Sequence, residues 1–156
     1  MQRTVDYIFR ELDWKRDRRQ VLEFQRDTYE LNFPGFRVTP AFLRDYEAQL
    51  RQSYQSGNDG LFVLECEQGL GGFLWVSLIA TMTDACVGFI NNLYVAPEHR
   101  QRGLGRLLVE KADEWFRSRG VRRAQLTAST VNPVAIGLYE KMGYETIRVR
   151  MEKTYW

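Results

Sequence analysis

Histidine occurs once in this chain, cysteine twice and proline four times. No stretch approaches the roughly 18 consecutive apolar residues that a membrane span requires. These shortages exclude a good deal. His99 together with the distant Cys66 and Cys86 cannot assemble a typical zinc site, so no metal is expected. The two cysteines lie in strand-like segments and read as free buried thiols of a cytoplasmic protein. Met1 to Arg19 is dense in charge without an apolar run, so no signal peptide is expected. An excess of one charge is missing as well. With 22 basic and 20 acidic residues the net charge is +2, which carries no nucleic-acid signature. Repeats, low-complexity tracts and linkers are also missing.

What is present suits one domain spanning 1–156, since 156 residues that are 44% hydrophobic can bury a single core. "DYIFREL" is a short strand candidate. Asp17 to Leu31 has apolar points at Val21, Leu22, Phe24 and Leu31 and predicts a helix. After the breaker "NFPGF", Thr39-Pro40 starts a second helix with a capping residue and proline at the first helical position. Its apolar face is Phe42, Leu43, Tyr46, Leu50 and Tyr54, and "SGNDG" ends it. Strands are predicted over Leu61–Glu67, Gly72–Thr81 and Cys86–Val95. A helix follows with Leu104, Leu107, Leu108, Ala112, Trp115 and Phe116 on one face and Gly120 as its stop. Then come a strand over Ala124–Thr130, a short helix from Asn132-Pro133 to Gly143, and an extended Tyr144–Trp156. The order β-αα-βββ-α-β-α-β is an α/β (α+β) fold, a central mixed sheet with helices on both faces. The strands flanking the glycine helix should run parallel, and ligands collect beyond the carboxyl ends of such strands.

The most informative stretch is "APEHRQRGLGRLLVEKADEWF". Gly103 and Gly105 sit where a strong helix begins, although glycine costs roughly 1 kcal/mol inside a helix. Arg100, Arg102 and Arg106 crowd the same turn. A helix start offers about four unpaired N–H groups and a partial positive charge, and glycine lets an anion come close. A phosphate or pyrophosphate suits such a turn. A P-loop would need Lys-Ser or Lys-Thr after the glycines, and a dinucleotide fingerprint would need a third glycine where Leu108 stands. What remains is R-x-x-G-x-G after a strand ending "LYVAP".

A second motif, "NPVAIGLYEKMGYE" from Asn132 to Glu145, follows the next strand. Paired with "LYVAPEHRQRGLG", it resembles the GCN5-related N-acetyltransferase superfamily, closely over Phe89 to Glu145 and in element order over the whole chain. The resemblance implies acetyl transfer from acetyl-CoA to an amine by direct attack. It implies that the backbone of Leu93, Tyr94 and Val95 pairs with the pantetheine arm, one N–H facing the thioester carbonyl. The turn Arg100, Gln101, Arg102, Gly103, Leu104, Gly105 and Arg106 would hold the pyrophosphate. Asn132 would bind pantetheine or cap its own helix. Lys141 would meet the 3′-phosphate or stay solvated. Tyr139 would donate to the departing sulfur, against the alternative of a packing tyrosine.

No carboxylate stands where relatives often carry a glutamate base. "CVGFINNLYV" offers Asn91 and Asn92, which can position a water but cannot take a proton. A base would otherwise come from Asp27 or Glu30, two residues that read first as ordinary helix-surface charges. Phe33 and Phe36, flanking the Pro-Gly turn, are either an aromatic lip of an acceptor cleft or core aromatics at a helix junction. His99 reads as a surface residue. The expected partners are an amine-bearing small molecule or peptide, with no nucleic acid and no membrane; a homodimer is allowed. A non-catalytic acyl-CoA binding module on the same fold is the alternative function.

Overall fold

The structure, a computed structural model, describes residues 5–156. Its elements run β1 (Ile8–Glu11), α1 (Trp14–Asn32), α2 (Pro40–Ser56), β2 (Gly60–Cys66), β3 (Gly69–Ile79), β4 (Val87–Val95), α3 (Leu104–Ser118), β5 (Ala124–Leu126) and α4 (Pro133–Lys141). The five strands form one sheet in chain order. The first three pairings are antiparallel and β4–β5 is parallel. The expected mixed sheet with helices on both faces is present.

Local chemistry sets the helix ends. Asp13 caps α1 by accepting the Arg16 N–H at 3.1 Å, which starts that helix before Asp17. Thr39 accepts the Phe42 N–H, Pro40 occupies the first turn of α2, and Gly57 ends it in the left-handed region at φ 68°. Gly120, just past α3, has φ 70°. These are the residues whose conformations or side chains make such ends cheap.

Two apolar layers sandwich the sheet. On one face Val21 and Phe24 of α1 and Tyr46 and Leu50 of α2 pack on Val63, Phe73, Trp75 and Tyr94. On the other, Leu104, Leu108, Ala112, Trp115 and Phe116 of α3 pack on Leu64, Leu74, Val76 and Ile90. The α3 layer is tight: a Cβ on Gly88 would stand 2.5 Å from the Phe116 ring.

Four expectations need correction. The strand expected over Ala124–Thr130 pairs only over Ala124–Leu126, because the chain leaves β4 after Leu126 to reach α4. Residues 145–156 form no strand and are exposed throughout. Cys66 is buried as expected, but Cys86 is exposed at the β3–β4 turn. His99 is 7% exposed, not a surface residue; its Nδ1 lies 2.6 Å from the Tyr7 hydroxyl, which fixes the loop after β4 onto the start of the chain.

Before α1, Arg10 grips Asp17 with both terminal nitrogens, at 2.7 and 2.9 Å, and also reaches Glu65 at 2.6 Å. Asp17 is 2% exposed and accepts the Asp13 N–H as well. Burial alone pushes its carboxyl up, but the Arg10 guanidinium and the Asp13 N–H more than offset that, so it lies below the ordinary carboxylate range. A depressed carboxylate stabilises the fold above its unfolded value near 3.9, and the contribution vanishes as pH falls through the folded value. Asp17→Asn should therefore cost about 2 kcal/mol at pH 7. In urea titrations across pH the variant should also lack part of the stability loss that the parent chain shows below about pH 4.

Candidate active site

One extra residue in β4 organises this end of the sheet. Along β3, Val76 pairs with Ile90 and Trp75 with Asn92, so Asn91 is left over as a bulge. The side-chain alternation changes phase there. Ile90, Leu93 and Val95 join the α3 layer, whereas Tyr94 joins the layer under α1 and α2, and Asn92 meets α1 through Gln25. The Asn91 amide donates to Ser77 Oγ at 2.7 Å, and the buried Asn92 amide donates to Gln25 Oε1 at 2.9 Å. Asn92 Oδ1 has no partner among the described residues.

At the same point β4 parts from β5. The last parallel pair is Ile90–Leu126, while β4 continues beside β3 as far as Val95. The Ala96 N–H donates back to Gly71 of β3 at 2.9 Å. By alternation the backbone groups of Leu93 and Val95 point the other way, into the side that β5 has vacated. Tyr94 presents its backbone to β3 and so does not line the gap as expected. Its hydroxyl donates to Asp27 Oδ2 at 2.6 Å, and burial followed by that carboxylate raises its pKa.

The gap leads into the glycine turn. Gln101 and Gly103 both adopt positive φ, 63° and 77°, and α3 starts from Gly103 with no side-chain cap and no acid in its first turn. A Cβ at Gly103 would meet nothing within 4 Å, so the ground over these amides is open. Gly105 serves a different purpose. A Cβ there would lie 2.9 Å from Leu138 Cδ2, so the missing side chain lets α4 settle against α3. Leu104 buries its side chain and offers only its amide. The arginines divide their duties. Arg100 is a strut, donating to the Val95 carbonyl at 2.9 Å and to Asp27 at 2.8 Å over the Tyr94 ring. Arg106 pairs with Glu110, and Arg102 has no ion pair among the described residues.

On α4, Asn132 uses both ends of its amide. Oδ1 caps the helix by accepting the Ala135 N–H, and Nδ2 donates to Asn32 Oδ1 at 3.1 Å. Asn132 thus caps its own helix and also ties the start of α4 to the end of α1. Tyr139 is half-buried against Tyr144, and burial pushes its hydroxyl up to about 12. Lys141 is exposed in the last turn.

The wall built by α1 and α2 is aromatic. Tyr29 contacts Phe33, Phe36, Phe42 and Tyr46, and Tyr46 continues to Trp75 in the core. Phe33 is 55% and Phe36 39% exposed, so these two are surface aromatics and not a core junction. Asp27 and Glu30 are not free surface charges. Asp27 holds Tyr94 and Arg100, and Glu30 accepts the Val38 N–H at 3.2 Å to shape the interhelix loop. Gln25 and Asn32 were invisible in the sequence, because each acts through a partner far along the chain, Asn92 and Asn132; Tyr29 and Ser77 were missed although their partners lie within 17 residues.

The glycines separate in a mutational test. Gly103→Val should weaken binding of a pyrophosphate-bearing ligand at least tenfold by calorimetric titration. Gly105→Val should lower the unfolding free energy, by roughly 1–3 kcal/mol of overpacking against Leu138, and Gly103→Val should lower it too, because a β-branched side chain is strained at φ 77°. The division is read in the ligand: wild-type affinity in folded Gly103→Val would contradict it.

Comparison with known proteins follows the same outline. The family described as Acetyltransferase (GNAT) matches residues 19–144. An uncharacterized N-acetyltransferase of Methanocaldococcus jannaschii is 35% identical over 92 residues, 56% of this chain and 39% of that protein. The chain spans between 27% and 39% of the length of three curated relatives that it matches. Among solved structures, a putative acetyl transferase from Pyrococcus furiosus is 26% identical at a TM-score of 0.75, covering 96% of this chain and 99% of that one. A predicted acetyltransferase from Clostridium acetobutylicum, solved with acetyl-CoA, has a TM-score of 0.78 at 16% identity, covering 96% of both chains.

Proposed function

Because the chain belongs to the acetyltransferase (GNAT) family, we propose that it carries the acetyl group of acetyl-CoA to an amine by direct attack, with no covalent enzyme intermediate. One observation carries the reading: an open strand edge leads straight into an uncapped, glycine-opened helix terminus. The Leu93 backbone groups and the Val95 N–H suit an amide-bearing arm that pairs as an added strand, the Val95 carbonyl being held by Arg100. The amides from Gln101 to Arg106 suit a pyrophosphate, with Arg102 and the helix dipole adding positive charge. Arg100 acts indirectly by holding the turn to Val95 and Asp27. Binding of acetyl-CoA by the Clostridium acetobutylicum relative supports this ligand.

Acetyl-CoA supplies a thioester, an acyl donor with a good leaving group. The protein's part is electrostatic and positional. A Leu93 or Val95 N–H stabilises the negative charge that develops on the carbonyl oxygen. Tyr139 donates a hydrogen bond to the sulfur. With its hydroxyl near 12 and a thiol near 8.5, outright proton transfer would be uphill by about 5 kcal/mol. Tyr139 therefore remains neutral and acts as a donor. Tyr139→Phe should lower kcat by roughly 10²–10³-fold with acetyl-CoA affinity nearly unchanged. Pre-steady-state thiol release, read beside a binding titration, checks both halves.

The deprotonating group is the distinctive point. Asp27 and Glu30 are engaged in structural bonds, and Asn91 and Asn92 cannot accept a proton. The amine must then arrive neutral. Neutralising a lysine-like amine costs about 4.6 kcal/mol at pH 7, an α-amine about 1.1. An acceptor of low pKa with an apolar flank for Phe33 and Phe36 fits best. At low acceptor concentration, kcat/KM should rise with pH to a midpoint set by the acceptor's own pKa. That midpoint should move when the acceptor is changed. A single midpoint near neutrality for two amines of well-separated pKa, removed by Asp27→Asn or Glu30→Gln, would assign a protein base instead. Acetyl-CoA binding without thiol release across polyamines, aminoglycosides, amino acids and peptide N termini would favour the acyl-CoA binding module.

A further inference from the structure

Beside the glycine turn, and sharing no residue with the gap that β5 leaves, lies a cavity of about 260 Å³. One wall joins Gln20 of α1 to Leu70 of β3. The Leu70 N–H donates to Gln20 Oε1 at 3.1 Å, and Gln20 Nε2 donates to the Leu70 carbonyl at 3.3 Å, so this wall is fixed. Another wall is the loop after β4, with Glu98, His99 and Arg102. Glu98 and Arg102 carry opposite charges into one cavity, yet neither forms an ion pair among the described residues. His99 is more than nine-tenths buried, and its Nδ1 is taken by the Tyr7 hydroxyl. Its Nε2 has no hydrogen-bond partner among the described residues. Nor is it one of the sealed unpartnered atoms, which belong to Tyr46, Asn92 and Tyr144, so that edge of the ring opens on the cavity. Buried polar groups are seldom left without a bond.

We propose that this cavity binds a small zwitterion of the α-amino-acid class and is an effector site for the glycine turn. Glu98 takes the ammonium and Arg102 the carboxylate, as charge-assisted bonds. With the Tyr7 hydroxyl donating to Nδ1, the proton of the neutral His99 ring stands on Nε2, a second donor to the carboxylate. Val5 and Leu70 offer apolar contact to a short side chain. The pairing of charges selects this ligand: Glu98 repels a dianion and Arg102 repels a polyamine. Size agrees, since the volume lies below the roughly 300–1,000 Å³ of sites for larger ligands.

The cavity binds without acetylating. An ammonium held by a carboxylate has no lone pair with which to attack a thioester. Its influence runs through Arg102, which stands between Gln101 and Gly103, the two residues of positive φ in the turn. This step rests on the acetyl-transfer reading, in which the same turn holds the pyrophosphate of acetyl-CoA. A carboxylate on Arg102 draws positive charge away from that pyrophosphate. The amino acid should then weaken acetyl-CoA binding about fivefold, and acetyl-CoA should weaken the amino acid by the same factor.

The test is calorimetric titration of L-alanine, L-serine and L-glutamine into the full chain, first without acetyl-CoA. At least one should bind with a Kd of about 1 mM or tighter. Its N-acetyl and carboxamide forms each lack one charge and should bind at least about tenfold more weakly. Glu98→Gln should cause a similar loss while leaving the affinity for acetyl-CoA alone unchanged. Absence of binding by all three amino acids would overturn the site, as would equal binding of the charge-deleted forms or indifference to Glu98→Gln. Thiol release driven by the bound amino acid and insensitive to Glu98→Gln would place it in the acceptor cleft, which also overturns the proposal. Titration of acetyl-CoA alone tests the acetyl-transfer reading separately. Failure there, with amino-acid binding still dependent on Glu98, would keep the site and remove that reading. Where both ligands bind, mutual indifference would overturn the effector role.

Discussion

The mismatch at Asn91 is the constraint on which the rest of the site depends. Without the extra residue, β4 would keep its phase, and the residues after it would show the opposite faces to α1 and α3. With it, Leu93 and Val95 complete the α3 layer while Asn92 and Tyr94 meet α1. The local increase in twist that accompanies a bulge also fits the parting of β4 and β5 immediately beyond Ile90. An open backbone edge inside a sheet is otherwise expensive, since unpaired N–H and C=O groups are rarely left buried. Here it faces the side that β5 has left.

Two polar ties join the variable arm of the protein to this gap. Asp27 on α1 holds both Tyr94 on β4 and Arg100 in the glycine turn, and Asn32 at the end of α1 holds Asn132 at the start of α4. The aromatic wall of Tyr29, Phe33 and Phe36 is thereby fixed relative to the strand edge and the helix terminus. Asp27 spends one oxygen, Oδ2, on both the Tyr94 hydroxyl and the Arg100 guanidinium.

Electrostatics on the ligand side depends more on backbone than on side chains. Three arginines surround the glycine turn, yet one is a strut and one is paired along its own helix. The positive character of the turn comes from Arg102, from amides presented by residues in left-handed conformations and from the α3 dipole. The same economy appears at Gly105, where the absent side chain serves the approach of α4, the helix that carries Tyr139.

Sequence alone determined the element order as far as α4, the capping residues Thr39 and Gly120, and the position of the anion-suited turn, and it offered Asn132 as a cap or a pantetheine ligand. These are short-range matters: hydrophobic period, turn chemistry and motif spacing lie within a few residues of one another. It also placed Tyr139 on the helix beside that turn. What only the tertiary structure decided was the use of residues whose partners lie far away. Asp27, Glu30 and Arg100 became struts, His99 went inside and Tyr94 turned its backbone from the gap. β5 stopped short and the last segment found no partner within its own chain. Each outcome turns on a pairing across the fold, or on one bulged residue that shifts the alternation, and no local pattern in the chain encodes either.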